Sequence, residues 1–264
     1  MDWIVVGNGR VGRALSAWQA KSGTSVRAPI SHRGFAGFLR TLARQPRGGL
    51  LLAVPDDALP EVARRLAAAR PDWSGWCVLH TSGARPAAVL HPLARRGAAV
   101  GAMHPMMTFT HAPPPPPLGI VFSLEGQAAA CRAAGKLVAA WGGLPLPLSA
   151  AGKAAYHLAA TLVGPGAVVN MAAAEMILKR AGFGRQRLRL AQRGLLRLLR
   201  TTAANLEAGP AHAWTGPWAR GDSATLARQR RLLPTPALRR LYAGIEATVR
   251  EQVSLKSARG SKQK

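Results

Sequence analysis

Three glycines near the N-terminus, Gly7, Gly9 and Gly12, follow the short apolar run Trp3-Ile4-Val5-Val6. Their G-x-G-x-x-G spacing suits a loop that carries a pyrophosphate. Gly7 lets the chain turn sharply out of a strand. Gly9 removes the side chain that would hold a phosphate away from the backbone, and Gly12 lets the next helix pack close. Asn8, Arg10 and Val11 complete the loop, and a helix from Arg10 would point its unpaired N–H groups and positive end at an anion. A second set of reactive types lies far down the chain. Lys153 and His157 are four residues apart and share a helix face, with Tyr156 beside it. An ammonium, a phenol and an imidazole can polarise a carbonyl or hydroxyl oxygen and pass a proton while hydride moves at carbon. His104, fixed by Pro105 at the end of a predicted strand, suits a hydrogen bond to a substrate oxygen. Plainer roles fit the same residues: a glycine turn without cofactor, a solvated lysine, a tyrosine and histidines packed at an interface.

Other positions bear on which cofactor is held. In an NAD-binding fold an acidic residue about 20 positions after the fingerprint grips the ribose. Here that position is Arg27, followed by Ser31, His32 and Arg33, with no carboxylate near. Arginines and a serine hydroxyl would receive a 2′-phosphate, so NADP(H) is expected in preference to NAD(H). Val54 and Pro55, at the end of another apolar strand, are expected to line the cofactor, while Asp56 or Asp57 could cap the following helix. Ser82, in His80-Thr81-Ser82-Gly83, suits close approach of the nicotinamide ribose or of substrate. Trp214 to Ser223 is too rich in Gly and Pro for a helix. In it Asp222 would cap the helix from Ser223, and Arg220 would hold a substrate carboxylate. No metal-ligand pattern is evident.

Strands and helices alternate up to Leu148, giving an α/β class: an N-terminal doubly wound, Rossmann-like sheet followed by a C-terminal all-helical domain. The predicted strands are 3–6, 24–28, 50–54, 76–79, 98–102, 119–124 and 143–148. The helical stretches after 150 are 153–178, 185–206, 223–232 and 236–255. Expected domains are 1–149 for the dinucleotide, 150–255 for substrate and dimerisation, and a basic disordered tail at 256–264. Pro113 to Pro117 reads as a stiff extended connector. The apolar stretch Tyr156 to Leu178, interrupted by Gly164-Pro165-Gly166, reads as a buried core helix rather than a membrane span.

The chain has 264 residues, 48% of them hydrophobic, enough for a sizeable core. Two cysteines, Cys77 and Cys131, give no disulfide framework, and no signal peptide is evident, so a reducing cytosol is the simple expectation. The formal charge of +25 invites a nucleic-acid partner, but 29 arginines against 7 lysines are spread through every segment. Arg185, Arg189, Arg193 and Arg197 form one stripe at i, i+4, read as a solvated helix face with Leu188, Leu195 and Leu199 toward the core. Polyanion binding there is the lesser alternative.

The pieces Val6-Gly7-Asn8-Gly9-Arg10-Val11-Gly12, Leu52-Ala53-Val54-Pro55-Asp56-Asp57, His80-Thr81-Ser82-Gly83, His104-Pro105, Lys153-Ala154-Ala155-Tyr156-His157 and Gly216-Pro217-Trp218-Ala219-Arg220-Gly221-Asp222 together resemble a bacterial oxidoreductase family. That family pairs a Rossmann-like domain with a C-terminal helical domain of unknown function. It looks like a distant branch of the 6-phosphogluconate dehydrogenase and pyrroline-carboxylate reductase superfamily. The resemblance implies a nicotinamide cofactor, a small-molecule substrate in the domain cleft, and a helical domain that dimerises. The superfamily's hydroxyacid dehydrogenases use a lysine followed four residues later by asparagine; Lys153 matches the lysine, and His157 replaces the asparagine, which leaves the substrate class open. His104-Pro105-Met106 resembles the His-Pro-Met of prephenate dehydrogenases. The expectation is an NADP(H)-dependent oxidoreductase acting on a small carbonyl, imine or hydroxy acid; the alternative is a non-catalytic dinucleotide sensor or scaffold.

Overall fold

The structure is a computed structural model that describes residues 1–22, 29–42, 44–112, 114–209 and 213–260. The predicted strand at 24–28 lies outside the described residues. The described chain divides into two compact units, 1–164 and 165–264.

In the first unit β1 (Trp3–Val6) leads into α1 (Arg10–Lys21); then come α2 (Phe35–Leu42), β2 (Gly48–Leu52), α3 (Leu59–Ala68) and β3 (Trp76–His80). A 3-10 turn (Ala87–Leu90) and the short α4 (His91–Ala94) precede β4 (Ala99–Pro105), β5 (Val121–Gly126), α5 (Ala128–Ala140) and β6 (Leu144–Pro147). The strands stand in the order β1-β2-β3-β4-β5-β6, and β1 to β4 run parallel. Ile30 makes a parallel bridge to Val6, donating to Val5 O and accepting from Gly7 N, on the side of β1 away from β2. The chain therefore leaves β1 to one side and returns to the other. That reversal opens a crevice at the carboxyl end of β1, where open α/β sheets bind ligands.

Both faces of the sheet are covered. Ile4, Val6, Leu50, Leu52 and Val78 pack with α2, α3 and the 3-10 turn. The alternate residues Trp3, Val5, Leu51, Cys77 and Leu79 pack with α1 and α5. Period-two alternation within continuously apolar strands thus feeds two cores, which is the doubly wound arrangement expected. Cys77 and Cys131 are free thiols.

The order of strands hides one feature: β5 runs antiparallel to β4, with His104 opposite Ser123, and β6 runs parallel to β5. Among the described residues no helix joins β4 to β5, so the right-handed crossover that keeps strands parallel is missing. The proline-rich connector returns the chain instead, and the Trp18 indole N–H donates to Pro115 O at 2.9 Å, bracing it on α1.

Past β6 the chain is helical among the described residues: α6 (Ala150–Arg180), α7 (Arg185–Glu207), α8 (Gly216–Arg220), α9 (Ser223–Arg231) and α10 (Pro236–Gly260). The first turns of α6 belong to the first unit and the rest to the second. In the second unit Gln192 ties α7 to Glu175 of α6 at 2.9 Å, and Glu246 of α10 receives both Arg230 of α9 and Arg250. The stretch expected to be non-helical holds α8, because Pro217 at the first turn is preset for helical φ and needs no N–H there. Gly221 ends α8 in the left-handed region, and Asp222 caps α9 by accepting from Thr225 N at 3.0 Å, as expected. α10 continues to Gly260, into the segment expected as a tail.

Two burial expectations are corrected. α6 is not a buried core helix: Leu162, Val163 and Val168 are 69%, 75% and 68% exposed. α7 has no fully buried residue: Leu188 and Leu195 are half-buried and Leu199 is exposed. The periodic apolar stripes are real, but a stripe specifies that a face will be covered, not what covers it.

Candidate active site

The glycine loop has the geometry its spacing implies. Gly7 has φ of +113°, and a Cβ there would lie 2.2 Å from Ala53 O. A Cβ on Gly12 would lie 1.8 Å from Gly7 O, so only hydrogen lets α1 sit this close to the loop. Above Gly9 nothing lies within 4 Å. The first turn of α1, with Gly9 as its N-cap, has no side-chain cap, which leaves its N–H groups for an anion. Arg13 of that turn reaches Asn8 O at 3.3 Å. Beside the loop lies a cleft of about 500 Å³, lined by Gly7, Asn8, Gly9, Ser31, Val54 and Pro55 among others. An open backbone cradle, an uncapped helix start and apolar walls fit a dinucleotide. Of the residues expected to hold it, Arg10 and Val11 open α1, and Arg33 is exposed and does not line the cleft. Arg27 lies outside the described residues. Asp56 and Asp57 do not cap α3; its N-cap is Ala58, without a side-chain bond, because the turn closed by Ala58 N donating to Pro55 O leaves both carboxylates before the cap position. Asp57 faces Arg85 at 3.4 Å.

At the same carboxyl edge, over β3 and β4, the structure gathers Lys153, Tyr156, His157 and His104. The Tyr156 hydroxyl donates a long 3.5 Å bond to His104 O. The His104 ring meets Tyr156 edge-on at 5.8 Å and His157 edge-on at 5.7 Å between centroids. Gly83 is the floor under the two imidazoles: a Cβ there would lie 2.3 Å from His157 Cδ2 and 2.9 Å from His104 Nε2. Strand spacing of about 4.8 Å puts this cluster roughly 10–15 Å from the glycine loop across the sheet edge.

The electrostatics separate the groups. Lys153 is 1% exposed, and its Nζ has no hydrogen-bond partner among the described residues. Burial lowers its pKa, while the carboxylates of Glu125 and Asp56 pull the other way. His104 is lowered to about 4 by burial, with Lys153 and His157 adding to it, and is neutral near pH 7. Burial raises Tyr156, which stays a phenol. His80 is lowered to about 3, again first by burial. Its Nδ1 accepts from Ser82 N at 3.2 Å, which leaves Nε2–H to donate to Pro86 O at 3.3 Å. That neutral tautomer shapes the loop after β3. The Ser82 hydroxyl accepts from Arg85 N at 2.9 Å, so it too braces the loop.

Sequence reasoning passed over several residues. The sequence places Gly83 beside Ser82 and carries no sign of its close approach to the imidazoles. Glu125, buried on β5 and accepting from Ala87 N at 2.7 Å, gave no signal as a single acid in a strand. Arg65 lines the cleft from α3, and only the helical spacing of residues 58, 61, 62 and 65 could have revealed it. Arg220 ends α8 in the second unit, exposed, with Asp222 as a neighbouring charge. Among the described residues no group of His, Cys, Asp or Glu could hold a metal ion.

Comparisons with known proteins bear on the fold and its two parts. Residues 39–105 match a Rossmann-like domain, and residues 120–248 match DUF2520, a domain of unknown function. The chain joins a Rossmann-like domain to DUF2520. The second match begins at β5, where the sheet reverses, so β5, α5 and β6 go with the helices of the DUF2520 region. No curated protein matches the sequence. Among solved structures, protein TM1727 from Thermotoga maritima is 20% identical, with 97% of this chain and 99% of that one covered and a TM-score of 0.70. BF3122 from Bacteroides fragilis, provisionally an NADP oxidoreductase, is 19% identical over 95% and 98%, with a TM-score of 0.74. An imine reductase from Myxococcus stipitatus in complex with NADP+ is 15% identical over 97% and 95%, with a TM-score of 0.62. At these identities the likeness establishes the fold.

Proposed function

We propose that the protein is an NADP(H)-dependent oxidoreductase that moves hydride to or from a small carbonyl, imine or hydroxy-acid substrate above Gly83. The observation that carries this reading is the Lys153 ammonium, buried without a hydrogen-bond partner among the described residues at the sheet edge that also bears the glycine loop. A buried ammonium with three idle donors is costly, and a substrate oxygen or nitrogen would satisfy it. Solved structures of the same fold include an imine reductase with NADP+ and an NADPH-bound reductive aminase from Aspergillus terreus, which supports the cofactor and the reaction class.

The nicotinamide, when bound, supplies or accepts the hydride. Gly9 and the first turn of α1 receive the pyrophosphate. Lys153 holds the substrate heteroatom and gives it a proton in the reductive direction; burial brings its pKa closer to neutrality, where the same group can take the proton back. The long Tyr156 bond to His104 O is readily exchanged for one to substrate. Neutral His104 orients the heteroatom without competing for the proton.

The test follows NADPH consumption over a panel of small ketones, 2-oxo acids and cyclic imines, together with NADPH affinity. Lys153→Met removes turnover and leaves NADPH binding within about twofold. Turnover that survives the substitution refutes the role of Lys153. Binding without turnover on any substrate leaves a dinucleotide sensor or scaffold.

The exposed apolar face of α6, together with an α7 that has no fully buried residue, supports a homodimer made through the helical region. By length and composition α6 could also cross a membrane. Its first turns, however, carry Lys153, Tyr156 and His157 packed on β4 and the Gly83 loop, which suits a second protein copy rather than lipid.

A further inference from the structure

The cleft beside the glycine loop has a wall that the chemistry at Lys153 leaves unused. Ala58, Glu61, Val62 and Arg65 all line it. Spaced i, i+3, i+4 and i+7, they form one stripe of α3. Arg65 stands about 10 Å along the helix from Ala58, and its guanidinium lies over the Phe35 ring, 4.9 Å from the centroid. Stacking on an aromatic face leaves the N–H edge of a guanidinium free to point outward. Among the described residues Arg65 makes no hydrogen bond or ion pair. Glu61, the one carboxylate in the wall, is ion-paired with Arg64. The lining also includes His32 and Ser31, whose hydroxyl accepts from Gly34 N and keeps its own proton to donate. Arg65 also borders an adjoining depression that contains Arg40.

We propose that Arg65 selects a 2′-phosphorylated adenosine. The inference rests on the dinucleotide reading above and names the group that sets its subtype. The apolar walls, Ile30, Val54 and Val62, take the adenine, and the guanidinium edge takes the phosphate in a charge-assisted fork. A bare 2′-hydroxyl would need an available carboxylate, and Glu61 is engaged with Arg64.

The test is calorimetric titration of the full chain with adenosine 2′,5′-bisphosphate and with AMP. The wild type binds the bisphosphate tighter by about 10- to 100-fold. Arg65→Gln brings that ratio close to one and leaves AMP unchanged; Arg65→Lys, with charge but no fork, falls between. An unchanged ratio in Arg65→Gln overturns the proposal, because the phosphate is then held elsewhere. Equal weakening of both ligands also overturns it, since Arg65 then only supports Phe35. The dinucleotide reading fails separately, if neither adenosine ligand nor NADPH binds the wild type. If NADPH and NADH bind equally well, that reading survives and this proposal does not.

Discussion

Gly83→Ala isolates the packing that holds the two imidazoles. The backbone at Gly83 is not in the left-handed region, so alanine brings no φ penalty and the effect is purely steric. The new Cβ would lie 2.3 Å from His157 Cδ2, against an ordinary carbon contact of about 3.5 Å. The His157 ring must therefore retreat by about 1.2 Å, and His104 must shift as well. Overpacking of this kind costs about 1–3 kcal/mol, and a misplacement near 1 Å in a reacting constellation costs about 100-fold in rate. Thermal unfolding and turnover are measured alongside NADPH affinity, because the glycine loop is remote from the change. Expected are a lower Tm, kcat down about 100-fold and NADPH affinity nearly intact. Gly83→Ala with His157→Ala recovers part of the stability, since the nearer of the two obstructing rings is gone, but not the rate. Wild-type kcat and Tm in the single variant would falsify the packing described here.

Gly12→Ala sets a Cβ 1.8 Å from a backbone oxygen, so the variant loses both dinucleotide binding and several degrees of Tm, read by fluorescence titration and thermal unfolding. Acid sensitivity follows from the imidazoles. Unfolded, each takes a proton near pH 6.5, whereas folded His80 resists until about 3 and His104 until about 4. The unfolded chain thus binds extra protons below pH 6.5, and stability falls as pH drops toward 4. His80→Gln shows a shallower fall in Tm over that range; an unchanged slope refutes the assignment. Val168→Glu, on an exposed site, leaves the monomer folded and shifts sedimentation from dimer to monomer; a wild type that sediments as a monomer removes the dimer. Arg189→Glu with Arg193→Glu leaves NADPH affinity and Tm unchanged, as a solvated face requires; nucleic-acid binding with a steep salt slope that the pair abolishes refutes that reading.

The sheet was legible because its strands are short apolar runs broken by Gly, Pro and Asp, and the glycine loop because each glycine has a steric reason. Lys153, Tyr156 and His157 could be grouped by helical spacing, and their meeting with His104 follows once α6 packs on β4. The reversal of β5 was not legible, since an antiparallel strand buried on both faces reads like a parallel one. The capping role offered to Asp56 and Asp57 failed because the turn before α3 places Ala58 at the cap position. Arg65 was hidden by composition: in a chain with 29 arginines one more on an amphipathic helix carries no signal until Phe35 is seen beneath it. The leucines of α7 satisfied a core pattern, yet among the described residues Leu188 and Leu195 are only half-buried and Leu199 is exposed.

The backward run of β5 limits where substrate can lie. Each parallel strand contributes its carboxyl end, and the loop after it, to one rim of the sheet. β4 is the last strand to do so; the next one presents its beginning there. His104 therefore marks the end of a reactive rim four strands wide, about 15 Å from β1 to β4. A ligand anchored at Gly9 has no further strand terminus to reach beyond β4. On the function proposed above, chain length in the substrate then grows outward from the rim rather than along it, which would assign selectivity for substrate size to the groups above His104.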